Sequence, residues 1–493
     1  MRDIRVAALR PAFALAASAL LLHACAIGPN YKRPTTETPD HYKEVVTPAP
    51  AEGQTATAQM ASSPAPAATT SPEEWWTLFN DTTLNDLEAQ VKVSNQNLAA
   101  QEAAYRQALA VVGQQRAGLF PSVSLDAAAT RSGGAGRART GTTVGTGSTV
   151  TTTSSSTVYE AGASASWEID LWGRLRRGLE NAHALADASA ADLAFARLSI
   201  QGQLATAYLQ LREADAEQRL LTDTVTGFTR SAEIATNRYN AGVAAKTDML
   251  QARTQLANAQ DQLVALNLQR AQLEHAIAAL VGKPASNFSV AALETWQTTI
   301  PDVPPGVPST LLQRRPDIAA AERRVAAANA TIGINEADYF PALTLTGAYD
   351  FLSTSTSGLF KSANESHSAG ASLSEALFNG GATRARVSGA RAAHDQSVAQ
   401  YRQTVLTAFQ DVEDQLASSR LLSQQYEFRR QASEAADETE RLTQNQYRAG
   451  TISYTDVVVA QTAALSARRA LASIGLSRQT TAIALITALG GRW

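Results

Sequence analysis

The sequence predicts a mixed fold of long α-helices and membrane-type β-strands that is repeated twice along the chain. Short motifs recur at an interval of roughly 200 residues, and residues 237–242 match residues 445–450. Four segments of about ten residues alternate between apolar and small polar side chains, which is typical of barrel strands. Two stretches of roughly 65 residues, 174–239 and 383–448, contain no proline and carry apolar residues at helical spacing.

The first 24 residues are typical of a signal peptide. Three arginines precede an apolar stretch over residues 13–22 that is too short to span a bilayer. Cys25 follows, and as the only cysteine it cannot form an internal disulfide. We therefore expect Cys25 to carry a covalent lipid such as palmitate; the alternative is a cysteine without function in a removed leader. Residues 25–74 would then form a lipidated N-terminal tether, with folded structure beginning near Trp75.

Composition and charge exclude several classes of function. The 42 lysines and arginines nearly balance the 45 aspartates and glutamates, and no basic cluster suited to nucleic acid occurs. The six histidines are scattered, and zinc, disulfide-exchange and calcium-loop motifs are missing. The glycine run at 133–136 lacks the Lys-Ser/Thr ending of a phosphate loop. We expect no enzyme activity, no metal site and no cofactor apart from the lipid on Cys25.

Three pairs of motifs in the same order define two repeats. The pairs are 237–242 with 445–450, 120–125 with 340–345, and 171–173 with 377–380. Gly242 and Gly450, which end the first pair, are separated by 450 − 242 = 208 residues. We therefore divide the chain into a first repeat over residues 75–300 and a second repeat over residues 301–493.

The alternating segments predict two strands in each repeat. They cover about 121–131, 157–168, 341–351 and 366–378. The fourth is weaker because Glu375 falls on its apolar face. A soluble sandwich is the alternative, but four strands make a poor sandwich and the flanking helices are too long for one. Four strands cannot close a membrane barrel, so the chain must oligomerise; two chains supply eight strands and three supply twelve.

Each proline-free stretch predicts a helix that reaches about 100 Å and must lie in a coiled coil or a helical tube. Gly242 and Gly450 stand where these helices should end, because glycine adopts the left-handed conformation of a helix C-terminus. The following residues are candidate caps for the next helix, namely Thr247, Asp248, Thr455 and Asp456. Each repeat thus contains a tip turn, at about 240–247 and 448–455, and a plain hairpin turn without partner-binding duty is the alternative.

Several motifs together resemble one family. They lie at 25–34, at Trp75 and Trp76, at 167–174, at 311–318 and at 447–451. In order and spacing they are similar to the outer-membrane factor (TolC-like) family, in particular its lipoprotein branch that includes OprM and NodT. The resemblance extends from about residue 20 to Trp493.

The resemblance implies a homotrimer with four strands per chain in a twelve-stranded outer-membrane barrel, continued by a long periplasmic α-helical barrel. Extracellular loops are expected at about 132–156 and 352–366. Gly242, Gly450 and Thr451 would lie at the periplasmic tip turns, and Asp456 would lie in the constriction or gate. Family members of the TolC type carry a second aspartate three residues later, where this chain has Val459.

The function implied is that of a lipid-anchored outer-membrane exit duct for drugs or toxic organic molecules. Its partners would be a periplasmic adaptor (membrane fusion) protein, an inner-membrane pump of the RND class and outer-membrane lipid, with no nucleic acid. Two alternatives remain from the sequence: a type I protein-secretion duct of the same fold, and a structural coiled-coil lipoprotein.

Overall fold

The computed structural model describes residues 26–44, 74–136, 152–293, 295–296 and 298–491. The predicted signal peptide and the lipidated Cys25 therefore lie outside the described residues. The chain divides into two compact units. The sheet unit comprises Met1–Pro34, Arg106–Ala188 and Glu322–Ala399, and the helical unit comprises Thr35–Tyr105, Ser189–Ala321 and Gln400–Trp493.

Helices account for most of the described chain. They are α1 Thr82–Ser94, α2 Gln96–Ala117, α3 Arg174–Asn240, α4 Lys246–Val281, α5 Leu311–Arg314, α6 Pro316–Ala337, α7 Ala382–Arg448 and α8 Tyr454–Ala488. The two proline-free stretches form α3 and α7, and each helix has 67 residues. Among the described residues, no helix is both long and apolar enough to cross a bilayer.

The sheet unit contains four antiparallel strands. They are β1 Ser122–Gly136, β2 Thr152–Ile169, β3 Ala342–Ser353 and β4 Glu365–Ser374, in the order β1-β2-β3-β4. Each strand therefore pairs with its neighbour in sequence, and β1 and β4 form the two edges of the described sheet. Unpaired edges are not tolerated in lipid, so in a membrane barrel, as the sequence predicts, this sheet would need strands from other copies to close.

The strand ends differ from those predicted. β1 and β2 continue into the expected 132–156 loop, where Ser132 pairs with Ser156 and Gly136 with Thr152. These Gly, Ser and Thr residues lack the apolar alternation of a strand, but their backbone groups pair regardless of side chain. At the other end, β4 stops at Ser374, and the predicted strand residues from Glu375 onward lie outside it. Ser374 pairs with Ala342, the first residue of β3, so later residues have no partner strand.

The helical unit has an apolar core built from the start of the chain and from the long helices. Its fully buried members include Leu84, Leu204, Leu211, Ile277 and Ile486. Asp81 caps α1 by accepting from the backbone N–H groups of Thr83 and Leu84, and its other oxygen accepts a 2.6 Å bond from the Tyr208 hydroxyl. Glu88 is completely buried, and burial raises the pKa of its carboxyl to about 9, so it is protonated at neutral pH.

A buried ion-pair network holds the segment after α4 in the helical unit. Asp215 lies between two arginines, at 3.0 Å from the Arg212 guanidinium and 2.7 Å from that of Arg270. Both arginines also donate to backbone carbonyls of this segment, at Ala291 and Val290 respectively. Because these groups are buried, removal of one member would leave an uncompensated charge.

The described part of the predicted tether is bound to the folded units. In the sheet unit, the buried Arg177 donates to the carbonyl oxygens of Ile27 and Gly28 and to the Asn30 side chain. In the helical unit, the backbone N–H groups of Lys43 and Glu44 donate to the Glu413 carboxylate. Residues 26–44 are thus ordered by side chains that lie far away in sequence.

Candidate functional site at the two helix turns

The two predicted tip turns have the same backbone geometry. Gly242 and Gly450 follow α3 and α7 with φ angles of 72° and 78°, in the left-handed region. The N–H of Val243 donates to the Arg238 carbonyl at 2.9 Å, and the N–H of Thr451 donates to the Gln446 carbonyl at 3.1 Å. This is the Schellman arrangement, in which glycine lets the last helical carbonyls find donors.

The predicted cap of α4 is wrong. Neither Thr247 nor Asp248 is the N-cap, because α4 begins at Lys246 and both residues lie in its first turn. The N-cap is Ala245, whose side chain cannot accept a hydrogen bond. Asp248 remains favourable there, because a carboxylate in the first turn interacts with the helix dipole.

The cap of α8 was predicted at the wrong residue as well. Ser453 is the N-cap, and Thr455 lies in the first turn and donates to the Gln251 side chain at 3.2 Å. The Asp456 carboxylate accepts from the Ser453 N–H at 3.0 Å and from the Ser453 hydroxyl at 2.7 Å. Asp456 is therefore part of a capping box, and Ser453 stands where the first repeat has Ala245.

Aromatic side chains brace the second turn. The rings of Tyr447 and Tyr454 lie 5.4 Å apart, and the Arg238 guanidinium lies 5.1 Å from the centre of the Tyr447 ring. Tyr454 is buried, and burial is the largest cause that raises the pKa of its hydroxyl. Arg238 precedes the first glycine turn, so this cation–π contact links the two turns.

Two consecutive arginines of α8 reach different helices. Arg468 forms ion pairs with Asp437 at 2.7 Å and Glu440 at 2.9 Å, both on α7. Arg469 forms an ion pair with Glu217 on α3 and donates to Gln262 on α4. The α8 helix is thereby connected to all three long helices that surround it in the helical unit.

The Glu217 end of this network contains a second buried carboxyl. Glu213 lies one helical turn before Glu217 on α3, and both residues are less than 10% exposed. Burial, followed by repulsion from Glu217, raises the pKa of Glu213 to about 7, and attraction to Arg469 opposes this rise. The α3–α8 contact therefore includes a group that titrates near neutral pH.

A cavity of ≈ 920 Å³ lies between α3, α7 and α8 behind the second turn. Its lining includes Phe228, Arg238, Tyr447, Tyr454 and Arg468. The side-chain oxygen of Gln461, which also lines it, is buried and has no hydrogen-bond partner within the described residues. The wall combines apolar, aromatic and cationic groups with the carboxylates of Asp223 and Glu440.

Metal-ligand geometry is missing from the part of the chain that the structure describes, where no group of three or more His, Cys, Asp or Glu side chains converges. The expectation that the protein needs no cofactor stays a prediction, as does the lipid on Cys25.

Sequence reasoning missed Ser453, Arg468 and Arg469. Ser453 could have been predicted as the N-cap from the sequence, since Ser453 and Asp456 have the spacing of a capping box. The arginines had none, because the partners of Arg468 lie 28 and 31 residues away and Glu217 lies 252 residues before Arg469.

Known proteins match this chain over nearly its whole length. A family model described as outer membrane efflux protein matches residues 87–283 and 307–491. OpmQ of Pseudomonas aeruginosa, a pyoverdine export outer membrane protein, is 30% identical over 426 residues, which cover 85% of this chain and 87% of OpmQ. TtgC of Pseudomonas putida, a toluene efflux pump outer membrane protein, is 30% identical over 482 residues, which cover 97% of this chain and 95% of TtgC.

A solved structure agrees with these sequence matches. The outer-membrane channel OprN superposes with a TM-score of 0.81 at 30% identity, covering 95% of this chain and 100% of that chain.

Proposed function

This chain belongs to the outer membrane efflux protein family, and from that premise we propose that it releases toxic organic molecules or drugs delivered by an RND-class pump through a periplasmic adaptor protein. It is the outer-membrane exit duct of a tripartite efflux system and has the TolC-like fold, in which three chains form a twelve-stranded barrel and a periplasmic helical barrel. The members of this family are channels and not enzymes.

The substrate class rests on one observation, the nearly full-length match to efflux-pump components. TtgC, which is named for toluene efflux, aligns with 97% of this chain. A duct provides a conducting path and not a selective substrate pocket, so the inner-membrane pump determines which substrates are exported. The relatives reported above are named for pyoverdine and toluene, and their names give no support to the protein-secretion alternative.

A lipid anchor on Cys25 is the second part of the proposal. The segment that follows Cys25 is held by Arg177, which is only 4% exposed and donates to the carbonyl oxygens of Ile27 and Gly28 and to the Asn30 side chain. These contacts support the proposal, because the described residues nearest to Cys25 in sequence are held by a buried side chain of the sheet unit. Mass spectrometry of the N-terminal peptide tests this part, and an unmodified Cys25 would contradict it.

Asp456 is proposed to act both as a cap and as a charged group of the constriction. In a trimer, three copies place three carboxylates around one axis, which favours cations and repels anions. The side chain is exposed, so its charge acts on the surroundings although one oxygen accepts from Ser453. The two roles can be separated, because a neutral amide still accepts hydrogen bonds.

Single-channel recording of the purified trimer in planar bilayers tests the duct and the gate together. Asp456→Asn removes the charge but keeps an acceptor for the Ser453 N–H, whereas Ser453→Ala removes the cap and keeps the charge. We expect cation preference to weaken in Asp456→Asn and to persist in Ser453→Ala. Equal selectivity in both variants and the wild type would leave Asp456 with its capping role alone.

A closed resting duct would give no current, so the same recordings are repeated with Arg469→Met, which removes the contacts of α8 with α3 and α4 and thereby loosens the packing of the long helices. Discrete pores in either protein support the duct. Silence in both, from folded trimers, would contradict it.

A further inference from the structure

A cavity of ≈ 740 Å³ in the sheet unit lies where the second repeat passes from strands to helices. Its lining consists of Ile27, of Glu336, Tyr339 and Phe340 around the end of α6, and of Arg384, Val387, Ser388 and Arg391 near the start of α7. The tip turns belong to the helical unit, so this cavity is separate from the candidate site described above.

One cation of this cavity has no counter-charge. Arg384 is exposed and forms no hydrogen bond or ion pair within the described residues. Arg391 pairs with Glu336 at 2.7 Å, with 64% of the arginine side chain still exposed. With two arginines and one glutamate, the lining has a net charge of +1 and suits an anion.

Comparison of the two repeats shows why Arg384 is unpaired. Gly173 and Gly380 both precede a long helix, and Arg177 and Arg384 follow them at the same distance, 177 − 173 = 4 and 384 − 380 = 4 residues. In the first repeat Arg177 is occupied by Glu180 and by oxygen atoms of residues 27–30. Among the described residues, no chain segment accepts a hydrogen bond from Arg384, so the equivalent guanidinium has no partner there.

The strand ends show the same asymmetry. In the first repeat Glu168 and Asp170 neutralise Arg174 and Arg176 at 2.7 Å and 3.1 Å. The equivalent positions in the second repeat are Ser374, the last residue of β4, and Ala376, as the offset 377 − 171 = 206 gives, and neither side chain carries a charge. Glu375 lies between these residues and lines a different cavity, together with Arg386, which is itself paired with Asp338.

The cavity lies at the helix-side boundary of the barrel strands. Phe340 comes two residues before β3, its ring stacks on that of Trp172 at 4.9 Å, and the Trp172 indole N–H donates to the Pro341 carbonyl. Tyr339 and Phe340 are 47% and 40% exposed. Exposed aromatic rings at strand ends are typical of the level of lipid headgroups in barrel proteins.

We propose that this cavity binds the phosphate of an inner-leaflet phospholipid, with Arg384 as the principal contact and Arg391 as the second. Tyr339 and Phe340 would contact the glycerol and the first acyl carbons. A lipid attached to Cys25 is the competing source of acyl chains, but a thioether-linked diacylglycerol has no phosphate and would leave the charge of Arg384 uncompensated. The proposal rests on the outer-membrane location and not on the pump or the cargo.

Native mass spectrometry of the full-length trimer in detergent tests the proposal. The probes are phosphatidylglycerol, diacylglycerol with the same acyl chains, and inorganic phosphate as a competitor. We expect the wild type to retain phosphatidylglycerol, to retain diacylglycerol much less, and to keep phosphatidylglycerol in the presence of inorganic phosphate. In Arg384→Gln, the loss of a charge-assisted contact at an exposed site should weaken retention about five- to tenfold.

Arg402→Gln is the matched control, because Arg402 is another exposed arginine of α7 and lies outside the cavity lining. If Arg384→Gln and Arg402→Gln lose phosphatidylglycerol to the same extent, the bound lipid is unspecific annular lipid and the proposal is overturned. Equal retention of phosphatidylglycerol and diacylglycerol by the wild type would overturn it without any variant, since acyl contacts alone would then account for binding. Displacement by inorganic phosphate would reassign the site to free phosphate.

Discussion

The contact between α3 and α8 should weaken as pH rises through neutrality. Glu213 has a folded-state pKa of about 7 against an ordinary value of 4.5. Between these two values the folded chain binds more protons at this group than the unfolded chain, so stability falls as pH increases. The difference of roughly 2.5 pKa units corresponds to an upper limit of about 3.5 kcal/mol, and this loss of stability is complete above about pH 8.

Burial is the largest cause that raises the pKa of Glu213, and the charged groups around it act in both directions. Glu217 on the same helix repels the ionised form, and Arg469 from α8 attracts it but is already paired with Glu217. Gln262 from α4 occupies another donor of Arg469 and brings no charge. Ionisation of Glu213 thus adds a second buried carboxylate to a site with one arginine.

Amide hydrogen exchange of α3 and α8 around these residues, at about pH 5.5 and about pH 8 and corrected for intrinsic rates, measures the effect. We expect less protection at the higher pH in the wild type, and no such loss in Glu213→Gln, which imitates the protonated form. Glu217→Gln removes the repulsion that helps to raise the pKa of Glu213 and frees Arg469 to pair with the Glu213 carboxylate, so it should reduce the loss of protection between the two pH values. If Glu213→Gln retains the full pH dependence, or if protection increases with pH, the reasoning is refuted.

Two further substitutions test the backbone geometry of helix ends. Gly282→Ala should lower thermal stability by at least about 2 kcal/mol, because its φ is 76° and the added carbon would lie 2.1 Å from the Ser94 carbonyl oxygen. Gly227→Ala in the same melting experiment should be neutral or stabilising, since open space surrounds this helical glycine. If both variants lost the same stability, backbone geometry at Gly282 would not be the cause. Ser453→Ala should cost about 1 kcal/mol and speed exchange at the start of α8, whereas Ala245→Ser should slow exchange at the start of α4. Unchanged exchange in both variants would show that the caps contribute nothing.

Much of the secondary structure follows from local patterns. The absence of proline predicts the two 67-residue helices, and glycine predicts their ends at Gly242 and Gly450. Strand periodicity predicts four strands but not their full length, because residues 132–136 and 152–156 pair through backbone groups without an apolar pattern. The caps were predicted at polar residues close to each tip turn. Both helices begin one or two residues earlier than predicted, so these polar residues lie in the first helical turn and not at the N-cap.

The candidate site was predictable only in part, because some of its features depend on local sequence and others on contacts between distant segments. The turns and Asp456 could be located from the repeat, since a duplicated motif marks both helix ends at once. The ion pairs of Arg468 and Arg469 join segments that no short-range rule connects. The raised pKa of Glu213 depends on burial between such segments and has no signature in the neighbouring sequence.

The sequence by itself determined the duplicated architecture, the long helices, their glycine ends and the family. These properties depend on backbone dihedral preferences and on side-chain periods that act within a few residues. Only the tertiary structure decided which carboxylate neutralises which arginine, that Arg177 holds residues 27–30, and that its counterpart Arg384 has no partner in the part of the chain that the structure describes. Such pairings depend on how distant segments meet, because Coulomb and hydrogen-bond energies fall off over a few ångströms and respond to position in space rather than to separation in sequence.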